Sequence, residues 1–199
     1  MECYHQRGKL EYQHRQLHHP LHRRRHCQIK RRIILIDQIV QEINTALEHD
    51  CYLIALASAL ILPDICGQVE YPNESTTSRY KKWYSKYIGQ YERYEECDEP
   101  GEEAPYPSAD IVYNLRNSLL HCGNPNVDQT KRNLTDFHLI VTKDSFFGSI
   151  SSKNLYGTER TLDIGIRNLC MKLCVTAQLF YQENKDKFHF DYEVIQQNS

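Results

Sequence analysis

The chain has 199 residues, 40% of them hydrophobic, enough for one domain with a real core and some length left over for arms and loops. Its formal charge is -2, but residues 1–32 hold nine Lys or Arg against Glu2 and Glu11, whereas residues 33–199 hold 15 basic and 24 acidic side chains, a net of -9. So acidic a body is not held on nucleic acid by a general basic field, and any RNA contact has to come from a local patch or from the basic arm.

The longest apolar run, CYLIALASALIL from Cys51, is interrupted by Ser58 and falls short of the roughly 20 residues that span a bilayer, so the expectation is a soluble, cytoplasmic protein with no membrane partner. The basic N-terminus has no apolar stretch and small-residue cleavage site behind it, and no secretory signal is expected. Cys3, Cys27, Cys51, Cys66, Cys97, Cys122, Cys170 and Cys174 include no CxxC pair. Reduced thiols are expected rather than a zinc site, with Cys170 and Cys174 at ordinary core spacing one helical turn apart.

Residues 1–32, with six His and little apolar periodicity, read as a disordered arm. A second reading leaves them out of the native protein: Lys30-Arg31-Arg32 is what a purine-rich ribosome-binding stretch would encode, with Leu35 as a TTG start. Native peptides from residues 1–30 in mass spectrometry would reject that reading.

From Ile33 the pattern changes. Ile36, Ile39, Val40, Ile43, Ala46 and Leu47 predict an amphipathic helix of about 15 residues, broken at His49-Asp50 with Asp50 as the next N-cap. Leu53, Leu56, Ala57, Leu60 and Ile61 predict a second helix, apolar on most sides and central, ended by Pro63 or by Cys66-Gly67. After a polar loop, Tyr80, Trp83, Tyr84, Tyr87, Tyr91 and Tyr94 form an aromatic stripe at helical spacing. Interleaved with Lys81, Lys82 and Lys86, the stripe reads either as packing against neighbouring helices or as a base-stacking platform. EECDEPGEEAPYP, residues 95–107, reads as a mobile surface loop.

A further helix is expected from an N-cap at Ser108 to the stop at Gly123-Asn124-Pro125, burying Ile111, Val112, Leu115, Leu119 and Cys122. Asp110, Tyr113, Asn114, Asn117 and His121 fall on a second, polar strip. Arg116 lies about 140° around the helix from His121 and about 7.5 Å along it, a gap that a long guanidinium stem can span. FHLIVTKDSFFGSI, residues 137–150, predicts a small β-hairpin around Lys143-Asp144-Ser145, with Phe146 and Phe147 covering either a dimer seam or their own protomer. Leu162, Ile166, Leu169, Cys170, Leu173, Ala177 and Phe180 predict a last helix from about Thr161 to Lys185.

An Arg and a His so placed suit RNA transesterification, which needs a base for the 2′-hydroxyl proton, a cation for the charge on the phosphoryl oxygens and an acid for the leaving 5′-oxygen. Arg supplies a permanently charged fork, and a His in the last helical turn is favoured in its protonated, acid form by the helix dipole. One His per chain leaves one proton transfer unfilled, which a symmetric dimer solves by bringing two sets together. The same spacing also arises by chance, with the His merely satisfying final carbonyls.

RNSLLH, residues 116–121, resembles the R-N-x-x-x-H form of the Arg-x4-6-His signature of HEPN domains (higher eukaryotes and prokaryotes nucleotide-binding), and LRNSLLHCGNP is similar to the LRN-x-x-x-H-x-G strings of bacterial members. The resemblance implies a mainly all-α fold: a HEPN-like bundle of about five helices over residues 33–185, here with the β-hairpin inserted before the last helix and a C-terminal tail at 186–199. It also implies a homodimer formed across the motif helices and a metal-independent endoribonuclease leaving 2′,3′-cyclic phosphate ends, serving as a toxin or in phage defence. Its catalytic residues would be Arg116 on the phosphate, His121 on protons and Asn117 orienting His121 or the backbone, with no cofactor or metal.

The expected partners are an RNA substrate and an antitoxin or neighbouring defence protein. Toxin members often carry a Tyr two places after the His; Gly123 stands there, which puts control at that position in doubt. The alternative function is a catalytically inactive HEPN bundle that binds nucleotide or RNA or serves as a dimeric interaction module. No Walker-type glycine loop is present, so ATP hydrolysis is not expected.

Overall fold

The computed structural model describes residues 35–93, 104–129, 134–143, 147–153 and 159–189. The arm at 1–32, Tyr94, most of the acidic stretch at 95–107, Phe146 and the end of the tail lie outside the described residues. What is described is mainly α-helical with a small three-stranded sheet.

Helix α1 (Leu35–Glu48) buries Ile36, Val40, Ile43 and Leu47, the stripe its spacing predicts. Asp50 does not cap the next helix. It takes the left-handed conformation (φ 57°) that short polar side chains tolerate, and its carboxylate accepts a 2.6 Å hydrogen bond from the Tyr52 hydroxyl. Cys51 occupies the N-cap position of α2 (Tyr52–Ala59) without capping it; its thiol donates to the His49 carbonyl at 3.5 Å. Helix α2 is less central than its composition suggests, since Leu53 and Ile54 are exposed while Ala55, Leu56 and Ala59 are buried.

Neither Pro63 nor Cys66-Gly67 ends a helix. The chain breaks at Leu60-Ile61, and Pro63 sits in the first turn of α3 (Leu62–Glu70), where a missing N–H costs nothing. Counted together, Tyr52–Glu70 is a 19-residue helical stretch of mean hydropathy 1.6, long and apolar enough to cross a bilayer by length and composition, with 44% of its most apolar window buried inside the protein. The dozen-residue run in the sequence therefore underestimates the apolar helix, although a core helix meets the same criterion.

Helix α4 (Thr76–Tyr87) starts at Ser75, whose hydroxyl accepts from the Ser78 N–H at 3.3 Å. It lies tightly on α3: a Cβ at Gly67 would stand 2.8 Å from the Arg79 carbonyl oxygen. The aromatic stripe is core: Tyr80, Trp83 and Tyr84 are fully buried, and Trp83 meets Phe180 edge-on at 5.9 Å. It ends earlier than its spacing predicts, because Ile88 leaves helical geometry and Tyr91, in a short 3-10 turn, is exposed.

Helix α5 (Ala109–Cys122) begins and ends where its caps predict. The strands that follow do not form the expected hairpin. β1 (Asp136–Ile140) and β2 (Ser149–Lys153) both pair with β3 (Arg160–Gly165) in the order β1-β3-β2, β1 parallel and β2 antiparallel to it. Phe137, Leu162 and Ile164 turn into the core. Thr161 and Leu162 thus belong to a strand, and α6 (Ile166–Glu183) starts five residues later than expected, with Gly165 as N-cap. In α6, Leu169, Cys170, Leu173, Cys174, Ala177 and Phe180 face the core, and Phe188, beyond its end, packs on Phe180 and Tyr181.

Candidate functional site

Helix α5 is fixed at both ends. The Ser108 hydroxyl accepts from the Ile111 N–H at 3.3 Å, and Asp110 in the first turn complements the helix dipole. Gly123 adopts φ 64°, and the N–H groups of Gly123 and Asn124 return to the carbonyls of Leu119 and Ser118, each at 3.1 Å, closing a Schellman-type end. Ile111, Val112 and Leu115 anchor the inner face. Leu119 is half-buried, and Cys122, expected on that face, is exposed because the last turn runs past the packed neighbours.

Most of the polar strip is committed to structure. Asp110 takes Lys81 Nζ at 2.6 Å, the Tyr113 hydroxyl lies 2.7 Å from Thr77 Oγ1, and Asn114 Oδ1 accepts from the Asp128 N–H at 2.7 Å, tying the segment after the helix back onto it. The lysines of α4 are likewise engaged: Lys81 with Asp110, Lys82 with Glu74 and Lys86 with Glu70. That leaves the lower end of the strip.

There the structure brings together all three residues singled out by the sequence. Arg116 swings around the helix so that Nη1 lies 3.3 Å from His121 Nε2 and donates to Asn117 Oδ1 at 2.9 Å. Asn117 therefore contacts Arg116, not His121. A guanidinium has only N–H donors, so a hydrogen bond across this contact needs the Nε2 lone pair as acceptor. His121 is exposed, whereas only 17% of the Arg116 side chain is accessible.

A fourth member of the cluster comes from a different helix. Asp64, in the first turn of α3, places Oδ2 2.6 Å from Arg116 Nη2, and its own side chain is 15% exposed. A signal existed, since a carboxylate inside ILPDICG has to find a cation or a donor. Burial pushes the Tyr80 phenol well above its ordinary range; Asp64 adds to that, and Arg116 opposes it. Asp64 Oδ1, Arg116 Nε and the Tyr80 hydroxyl are buried without a hydrogen-bond partner.

The cluster thus offers an accessible imidazole beside an oriented guanidinium whose charge is partly balanced from within. It can take a proton and hold an anion. Among the described residues no group of three or more His, Cys, Asp or Glu is placed to hold a metal ion. Compared with known proteins, the chain matches no family model, no curated protein and no solved structure.

Proposed function

We propose that this chain is a HEPN-like endoribonuclease that cuts RNA without a metal ion, acting in the cytoplasm as a toxin or antiphage effector. The supporting observation is the approach of Arg116 Nη1 to His121 Nε2 at 3.3 Å, which gathers the phosphate-binding and proton-transferring groups in one place on a helix surface. A scissile phosphate would replace the contacts that Nη1 makes within the chain. The 2′-oxygen attacks phosphorus as its proton passes to an imidazole, the P–O5′ bond breaks, and the 5′-oxygen takes a proton from an acid. The products are a 2′,3′-cyclic phosphate and a 5′-hydroxyl. His121 can fill one proton role; the second comes from His121 of another copy in a homodimer joined across α5.

The test is cleavage of end-labelled RNA in EDTA by the wild type, Arg116→Ala and His121→Ala. Cyclic phosphate ends from the wild type alone support the reading; intact RNA at high protein concentration, or equal cutting by all three, rejects it.

The internal pairing of Arg116 with Asp64 favours a second reading, a silent bundle that binds nucleotide or RNA or docks on a partner, because a guanidinium already neutralised can be purely structural. RNA binding unaffected by His121→Ala, without cleavage, would select it.

A further inference from the structure

We propose that Asp64 is the positioning residue of this site: its carboxylate turns the Arg116 guanidinium so that Nη1 faces His121. The proposal rests on reading Arg116 and His121 as the ribonuclease pair.

Helix α5 fixes only the backbone of Arg116. From there to His121 the side chain must travel part-way around the helix, and four flexible stem torsions leave many other directions open. Two contacts select the observed one. Asn117 Oδ1 holds Nη1 from within the same helix, and Asp64 Oδ2 grips Nη2 from 52 residues away in sequence. Only the second comes from another element, so it ties the guanidinium to α3 as well as to its own helix.

The grip is a single contact. Asp64 Oδ1 and Arg116 Nε are both buried without a partner, so Nη2–Oδ2 is the one hydrogen bond joining the two side chains. The fully buried Tyr80 is close enough for both charges to affect its ionisation. The division of labour follows from the fork of the guanidinium. Its inner arm is held by Asp64, and its outer arm is turned toward an exposed imidazole.

The test follows the His121 Nε2 nitrogen resonance in 15N-histidine-labelled full chain at pH 8.5, above the ordinary imidazole pKa of about 6.5. The signal is assigned by its loss in His121→Gln, and Arg116→Ala supplies the value without a guanidinium donor. Asp64→Ala removes the grip; Asp64→Asn removes the charge at equal volume and guards against a variant that fails to fold. Both are expected to move the resonance toward the Arg116→Ala value and to lower kcat at least tenfold, with KM changed less than threefold.

An unmoved resonance in both variants overturns the proposal, as does an unchanged kcat. If the wild type cuts no RNA, the ribonuclease reading fails by itself, and the resonance still decides whether Asp64 sets the Arg116–His121 contact.

Discussion

Asp64 and Arg116, 52 residues apart, meet at 2.6 Å with 15% and 17% of their side chains exposed, while His121, which also contacts the guanidinium, stands in solvent. Removing either site residue therefore has different structural consequences. Arg116→Ala strands the Asp64 carboxylate in a mostly buried position, a loss of about 2 kcal/mol, between the small value of an exposed pair and the larger one of a fully buried pair. His121→Ala, at an exposed helix end, should cost less than about 0.5 kcal/mol. Urea denaturation of the two variants checks the difference. Equal stabilities would mean that the ion pair contributes nothing in solution. His121→Ala is accordingly the cleaner probe of the proposed activity.

The approach of α3 to α4 makes Gly67 a sensitive position. An added Cβ would meet the Arg79 carbonyl oxygen at 2.8 Å, and backbone cannot swing aside as a side chain can. Gly67→Ala should destabilise by about 1–3 kcal/mol despite the better helix propensity of Ala. Gly123→Ala meets nothing within 4 Å but must hold φ 64°, so its cost is expected near 1 kcal/mol and purely conformational. Thermal unfolding of both variants tests the ranking. A neutral Gly67→Ala would show that the helices can part.

Local signals in the sequence mark the elements whose determinants are local. The stripe of α1, the caps of α5 at Ser108 and Gly123 and the core face of α6 are all written within a few turns of chain. The parts that the sequence does not mark depend on distant partners. FHLIVTKDSFFGSI has the composition of a hairpin, yet β1 pairs with β3, because Phe137 and Leu139 find Leu162 and Ile164 alongside them on the core face. TLDIG continues the apolar pattern of α6 and yields to the strand through the same pairing. At the site, Arg116, Asn117 and His121 are legible because one helix carries them. Asp64 is not, because its partner is reached only through the packing of α3 near α5.

Strand order gives a prediction of its own. β3 has neighbours on both sides and β1 and β2 each have one among the described residues, so β3 is held by two ladders and each outer strand by one. Hydrogen exchange should be at least tenfold slower over Arg160–Gly165 than over Asp136–Ile140 or Ser149–Lys153. Fast exchange at 160–165 with protection shared by the other two segments would restore the hairpin.

The thiols among the described residues divide by burial. Cys66, Cys170 and Cys174 lie in the core, and burial pushes their ionisation upward, to about 12 for Cys66 and Cys174; Cys51 and Cys122 are exposed. The thiolate is the reactive form, so native protein treated with iodoacetamide at pH 8 should be modified at Cys51 and Cys122 well before the three core thiols. Peptide mass spectrometry over a time course reads this directly. Early labelling of Cys170 would mean that α6 is not seated as described.

The Glu70–Lys86 pair sets an acid-side dependence. Lys86 Nζ lies 2.5 Å from Glu70 Oε1 and holds that carboxyl below its ordinary value of 4.5; partial burial opposes the shift, and the Tyr87 hydroxyl, donating at 3.1 Å, reinforces it. In the native protein Glu70 therefore stays ionised at pH values where the unfolded chain has already taken up the proton. The stabilisation is complete above about pH 5 and is lost as pH falls from 4.5 through the lower native value. Lys86 is half-exposed, so the contribution is about 0.5–1 kcal/mol, or about 2 °C in Tm. Glu70→Gln should melt below the wild type by that amount at pH 7, and the gap should close as the buffer is taken toward pH 3. A gap that persists unchanged at pH 3 would assign the effect to packing of the Glu70 side chain, with no part for its charge.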